Sequence, residues 1–325
     1  MKPQSLTVKF VDFWKGFDCH DNIFVEALER DFLVKVLEEH SSETPQLLIY
    51  SAFGNSHTCY DCIKLYFTGE NDVPDFNQCD YAISAHYLEL GNRHIRLPQY
   101  LLYKEYRALD VEDATVVEDV FDRPFCSVVV SNSVYAAPQR TEIIDVVEQY
   151  KPLAYGGAYR NNVGGRVPDK MAFIRQYKFN IALENSMVDG YTTEKLIEPM
   201  AACTVPIYWG NRMVGKEFNP ESFINAADYN NYESLLEDIK RIDSDRGAYM
   251  KMLCAPKILS DARVDWYALL EDFLVNIVRH GRKHIFPYGI MGHKQYMQRR
   301  KDLMYDNVLL RKCAGAWIKL TGGDK

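Results

Sequence analysis

The chain has no run of about 18 consecutive apolar residues, the length a helix needs to span a bilayer. Its opening, MKPQSLTVKFVDFW, lacks a charged start leading into an apolar stretch and small cleavage residues, so a cytoplasmic chain without a secretory signal is expected. Cysteine is sparse. Cys19, Cys59, Cys62, Cys79, Cys126, Cys203, Cys254 and Cys313 are too few and too scattered for a disulfide scaffold and suit free thiols in a reducing compartment. Cys59-Tyr-Asp-Cys62 is a lone CxxC with no second pair at zinc spacing and reads as ordinary thiols. The histidines form neither HExxH nor another paired ligand spacing. There is no GKS/T phosphate loop, no GxGxxG fingerprint, no internal repeat and no low-complexity tract. Membrane-spanning, disulfide-scaffold, P-loop and zinc-protease classes are thereby set aside.

What is present suits a folded enzyme. Apolar residues make up 47% and charged residues 26% of 325 positions, enough chain for two α/β domains. The net charge of −7 hides an asymmetry. From Arg279 to Lys325 there are 11 Lys/Arg against 3 Asp/Glu, or +8, leaving 27 against 42, or −15, for everything before. An acidic body argues against nucleic acid as a partner. The basic tail also carries Met297, Leu303, Met304, Val308, Leu309, Leu310 and Trp317. Two readings stay open for it: peripheral contact with the anionic inner face of a membrane, or packing against the N-terminal domain with its charges solvated.

Strand-like and helix-like stretches alternate twice. Strands are predicted at Leu6–Phe13, Gln46–Tyr50, Ile63–Thr68, Tyr81–Ser84 and His94–Leu97, with one amphipathic helix over Asn22–Glu39. The second series has strands at Ser127–Ser131, Phe179–Leu183 and Val205–Trp209, helices at Arg140–Gln149 and Tyr191–Cys203, and helical patterns up to about His280. Two such series predict two Rossmann-like α/β domains with mostly parallel sheets, over 1–120 and 121–280, then the tail 281–325. Leu109–Asp122 is the candidate linker.

The densest chemistry lies in Lys178–Asn211, KFNIALENSMVDGYTTEKLIEPMAACTVPIYWGN. Glu184, Asn185 and Ser186 appear abruptly at the carboxyl end of an apolar strand, where α/β sheets bind ligands. Thr192 or Thr193 can cap the next helix, whose first turn carries Glu194 and Lys195. Helix N-termini attract phosphate, and a Lys in the first turn, wrong for the dipole, makes sense opposite an anionic ligand. A capped helix with an exposed Glu-Lys pair is the plainer alternative. Pro206–Gly210 brings a second strand end to the same region, and the Gly-rich stretch Tyr155–Gly165 can bring backbone close to a nucleotide.

Together, KFNIALENS, GYTTEKLIEPM and VPIYWGN resemble the donor-site signature of the alpha-1,3-fucosyltransferases, glycosyltransferase family 10, with the bacterial branch nearest. The similarity extends through VVSNSVYAAPQR and YFTGENDVPDFNQCDYA and covers roughly residues 45–255. The resemblance implies the GT-B fold, with an N-terminal acceptor domain, a C-terminal donor domain and the active site in the cleft between them. It implies GDP-fucose as donor, inversion at the anomeric carbon, and no obligatory metal or other cofactor. It further implies that Arg140 and Lys195 hold the diphosphate, that Asn185, Tyr191 and Glu194 contact the donor, and that Glu70 is the general base. The catalytic set is then Glu70, Arg140 and Glu194.

The expected acceptor is O3 of N-acetylglucosamine or glucose in N-acetyllactosamine, Lewis-type or lipopolysaccharide glycans. Alpha-1,4 or mixed transfer, or a silent nucleotide-sugar-binding protein on the same scaffold, are the alternatives. A pure binder has no use for the Glu70 carboxylate. Asp243-Ser-Asp245 resembles a metal-binding DxD but lies in a polar run between helices and is read as a helix cap. His20 and Asn22, after the first strand, are candidates for the acceptor side.

Overall fold

Among the described residues, every strand that the hydrophobic pattern predicts lies in one of two wholly parallel sheets. The computed structural model describes residues 4–109, 120–131, 137–259, 263–283 and 312–313. Most of the candidate linker and the basic tail therefore lie outside the described residues, and so does any account of the tail's packing.

The first unit comprises β1 (Gln4–Val11), α1 (Ile23–Glu29), β2 (Phe32–Val36), β3 (Leu47–Tyr50), β4 (Ile63–Phe67), β5 (Tyr81–Ser84) and β6 (His94–Arg96). Its sheet order is β2-β1-β3-β4-β5-β6. Leu47, Leu48, Ile49 and Leu65 are completely buried, as expected for strands covered on both faces. The single helix expected over Asn22–Glu39 is instead a short helix and a strand. Asn22 caps the amides of Phe24 and Val25, the helix stops at Glu29, and Phe32–Val36 pairs with β1. The run FLVKV alternates buried and exposed positions, so its period of two wins over the helical period of the longer window.

The second unit comprises α2 (Lys104–Ala108), β7 (Cys126–Val128), α3 (Pro138–Glu148), β8 (Ala154–Tyr155), α4 (Lys170–Ile174), β9 (Phe179–Leu183), α5 (Glu194–Ala201), β10 (Val205–Trp209), β11 (Ile224–Asn225), α6 (Tyr232–Ser244) and α7 (Arg246–Cys254). Its sheet order is β11-β10-β9-β7-β8. Strands β9 and β10 are buried at every position and pair in register from Phe179–Val205 to Leu183–Trp209. The remaining helix, α8 (Trp266–His280), packs on α1. The Tyr81 hydroxyl donates to the carbonyl of Gly281 just beyond it at 2.8 Å. Among the described residues the compact units are therefore the stretch up to 97 with 265–283, and 98–264. A boundary at 280 assigns α8 to the second domain, whereas its apolar face is used by the first.

In the first sheet His94 is almost fully buried, with its Nε2 3.0 Å from Ser84 Oγ. Burial pushes its pKa down to about 4, so the native ring stays neutral where an unfolded one is charged. Between about pH 6.5 and 4 the unfolded chain thus binds the extra proton and stability falls with pH, by up to about 3 kcal/mol from this group. Urea unfolding across that window should show a shallower loss in His94→Asn than in wild type.

Candidate active site

The order of the second sheet reverses between β7 and β9: β8 lies outside β7 on one side, while β10 and β11 continue beyond β9 on the other. Open parallel sheets bind ligands outside the carboxyl ends of their strands at such a point. Here β9 ends at Leu183 and delivers Glu184 and Asn185, while the chain leaving β7 leads into α3 and Arg140. The connection is tight: the amide of Ala137, just before α3, donates to the Asn185 carbonyl at 2.8 Å, and Arg140 Nη1 donates to Asn185 Oδ1 at 2.7 Å. Arg140 is buried, which lowers its pKa, and the nearby Glu184 and Glu194 oppose that shift. A guanidinium stays charged even so.

Glu184 has no exposed surface. Its oxygens accept the Thr193 amide at 2.8 Å, the Thr193 hydroxyl at 2.8 Å and the Lys195 ammonium at 3.2 Å. Thr193, the N-cap of α5, in turn accepts the Lys195 amide. Burial pushes the Glu184 carboxyl up, against the pull of Lys195 and the Thr193 donors. Burial also acts to lower Lys195, but Glu184 and Glu194 outweigh it and hold the ammonium charged above its ordinary range. Glu194, whose burial alone acts to raise it, is brought below the usual carboxylate range by Lys195 and Lys170. The unexpected cation in the first turn of α5 thus has a partner inside the protein, and the plain exposed Glu-Lys pair is replaced by a half-buried cluster.

Arg140, Asn185, Glu194 and Lys195 are gathered at this sheet end. Val130, Arg140, Lys170, Leu183, Lys195 and Glu198 bound a small recess there, which joins three cations to one anion. Tyr191 is buried beside the cluster, in the loop that precedes α5. Glu70 belongs to the first unit: it is exposed in the loop after β4, and its amide donates to Thr68 Oγ1 at 3.0 Å. The sequence pattern attached no role to Lys170, to Tyr103, whose hydroxyl bonds Glu194, or to Glu184 as the organising charge. The abrupt acid ending a buried strand was the signal for the last; Lys170 and Tyr103 carry none.

Other candidates resolve structurally. Gly157 lies so close to β7's continuation that an added Cβ would sit 2.0 Å from the Val130 carbonyl oxygen, so this glycine serves packing of the chain on itself. Asp243 accepts from Lys151, Lys178 and Tyr150, while Asp245 caps α7, so these two carboxylates are structural. Burial pushes the Cys62 thiol up to about 11, which leaves it unreactive. Asn22 is the cap of α1.

Removing Glu184 leaves the Thr193 amide and hydroxyl without their acceptor and takes one of its two carboxylate partners from the half-buried Lys195 ammonium. Glu184→Ala should cost about 3 kcal/mol in urea unfolding, with Glu184→Gln costing less because the amide oxygen still accepts from Thr193. Equal, small losses in both variants would show that the pair contributes little.

The alpha-(1,3)-fucosyltransferase FucT N-terminal domain family matches residues 8–103, and the glycosyltransferase family 10 (fucosyltransferase) C-terminal family matches residues 122–254. The alpha-(1,3)-fucosyltransferase FucT of Helicobacter pylori is 32% identical over 289 residues, which cover 77% of this chain and 60% of that protein. The chain thus spans about three-fifths of that relative's length. An alpha-(1,4)-fucosyltransferase of Arabidopsis thaliana is 37% identical over 73 residues, 22% of this chain and 18% of that one. A crystal structure of an alpha1,3-fucosyltransferase with GDP-fucose superposes with a TM-score of 0.74 at 26% identity, covering 89% of this chain and 94% of that one. The same type of enzyme with GDP gives 0.73 at 26% identity over the same shares. This likeness puts the two parallel-sheet units in the GT-B class. With both of its characteristic domains matched over about 70% of the sequence, the chain belongs to glycosyltransferase family 10, the fucosyltransferases.

Proposed function

We propose that the protein transfers L-fucose from GDP-fucose to O3 of N-acetylglucosamine or glucose in an oligosaccharide acceptor, with inversion and without a metal. The observation that carries this is the clustering of Arg140 and Lys195 at the reversal of the second sheet, beside the start of α5, in a chain of this family. The related crystal structures with GDP and GDP-fucose support the donor.

Inversion is one displacement. The acceptor hydroxyl attacks the anomeric carbon, the bond to the GDP oxygen breaks, and negative charge grows on the diphosphate. Arg140 can take that charge with two parallel hydrogen bonds, and Lys195 with a compact point charge. The first-turn amides of α5 add a positive dipole end. Cations aimed at developing charge in a partly buried site can do what a divalent ion does elsewhere. Arriving diphosphate would share Lys195 with Glu184 and Glu194, so the ammonium needs no new desolvation when the donor binds. Glu70 takes the hydroxyl proton as general base; its solvent-exposed loop leaves the carboxylate accessible to a substrate. Asn185 holds the Arg140 guanidinium, and Glu194 is suited to accept from donor hydroxyls. The similarity to an alpha-(1,4)-fucosyltransferase favours alpha-1,4 transfer as the second reading, which keeps the donor and changes only the linkage.

Incubation with GDP-fucose and N-acetyllactosamine in EDTA should release GDP and place fucose on O3 of the N-acetylglucosamine; fucose on O4 of an N-acetylglucosamine acceptor would favour the second reading. Complete loss in EDTA, restored only by a divalent ion, would refute the metal-free mechanism. Glu70→Ala should abolish transfer with GDP affinity nearly intact. Arg140→Ala and Lys195→Ala should each lose about 2–4 kcal/mol of transition-state stabilisation, read as kcat/KM for the donor.

A further inference from the structure

The first sheet also reverses its order, between β1 and β3, and two large aromatic side chains stand exposed in the loops that leave those strands. Trp14 follows β1 and is 41% exposed; Phe53 follows β3 and is 44% exposed. Their ring centroids are 6.2 Å apart at 77°, which makes an open corner with one ring edge against the other's face. Resting on that transfer reading, we propose that Trp14 and Phe53 form the stacking platform for a pyranose ring of the acceptor.

The platform is held rigid. The Phe17 amide donates to the Trp14 carbonyl, closing a turn with Gly16 at φ +90°, a value that favours glycine at this position. Beneath it Phe13 and Phe17 stack at 3.9 Å, and Trp14 contacts both. The two loops are stapled through Asp12, a non-glycine residue at φ +60°. Its carbonyl accepts the Phe53 amide at 2.9 Å, and its carboxylate accepts the amides of Ser56 and His57 and pairs with the His57 ring at 2.7 Å. Stiff, prepositioned rings lose little entropy when a ligand stacks on them.

Charge and position select the ligand. Residues 12–22 carry three Asp and one Lys, which disfavours phosphate and suits a neutral polyhydroxyl compound. The electron-rich face of an indole or phenyl ring attracts the electropositive C–H face of a sugar, leaving its hydroxyls free to be hydrogen-bonded or solvated. Strands β1, β3 and β4 are consecutive neighbours, and Glu70 leaves β4 just beyond Phe67, which itself stacks on Phe13. Two strand spacings amount to about 10 Å, the reach of a disaccharide. One end of one sheet therefore presents an aromatic corner and the proposed base.

The test uses the full chain. Trp14→Ala and Phe53→Ala should each raise the KM for N-acetyllactosamine about tenfold, with the KM for GDP-fucose and the melting temperature unchanged, and Trp14→Phe should recover most of the loss. Saturation-transfer NMR with N-acetyllactosamine, lactose and N-acetylglucosamine reads binding without the donor. Sugar binding lost in Trp14→Ala upholds the platform even if no fucose is ever transferred, a result that would sink the transfer reading alone. Normal acceptor KM in both alanine variants, or no binding of any of the three sugars to the wild-type protein, overturns the platform and leaves the transfer reading standing.

Discussion

A carboxylate taken wholly out of water is costly unless donors and a cation fill its oxygens. Glu184 is such a group, set one residue beyond the end of strand β9, and its surroundings answer that demand one by one. The Thr193 amide and hydroxyl turn inward to it, which places Thr193 as the cap that starts α5. Lys195 folds back over the cap instead of extending into solvent. Gly210, at the end of β10, leaves the space that Glu184 occupies: an added Cβ would lie 2.4 Å from its Cγ. One buried charge thus ties two strand ends and a helix start into a single arrangement.

The same logic explains a cation that contradicts the helix dipole. Lysine in a first turn loses a few tenths to about 1 kcal/mol against the positive helix end. Two adjacent carboxylates more than offset this, and they keep the ammonium charged and oriented where an anionic group can share it. Arg140 is handled differently. It is buried against Asn185, a neutral acceptor that fixes the plane of the guanidinium without neutralising it. The proposed diphosphate leaving group would call on both properties: cations that are already desolvated, and cations whose charge is not fully spent.

The two units use one architectural rule for different chemistry. In each, a parallel sheet reverses its strand order, and the loops at the reversal carry the unusual residues. The second unit puts cations there. The first puts an aromatic corner over a buried Asp12–His57 pair, with the imidazole stacked on Tyr50 at 4.1 Å. Polar networks of this kind hold loops that hydrophobic packing alone would leave mobile.

Three strands were legible in full from pattern alone, because a strand buried on both faces is a short, mostly apolar run: Tyr81–Ser84, Phe179–Leu183 and Val205–Trp209 have the same limits in sequence and structure, whereas the two-residue strands β8 and β11 are too short to leave a pattern. The sequence also marked Glu184–Ser186 as a strand end rich in polar groups and Thr193 as a capping candidate, since capping is local chemistry. The rest depended on contacts between elements far apart in the chain. Whether Phe32–Val36 was helix or strand depended on β1 being available to pair. Whether α8 served the first or second unit depended on which one left an apolar face for it, a matter of packing at a distance of some 240 residues. The distinction between a loop glycine for a ligand and one for the chain itself rested on the position of Val130. Local pattern encodes periodicity and caps; which polar group meets which, as Glu184 meets Lys195 and Arg140 meets Asn185, is set by strand order, and strand order is not written in any window of the sequence.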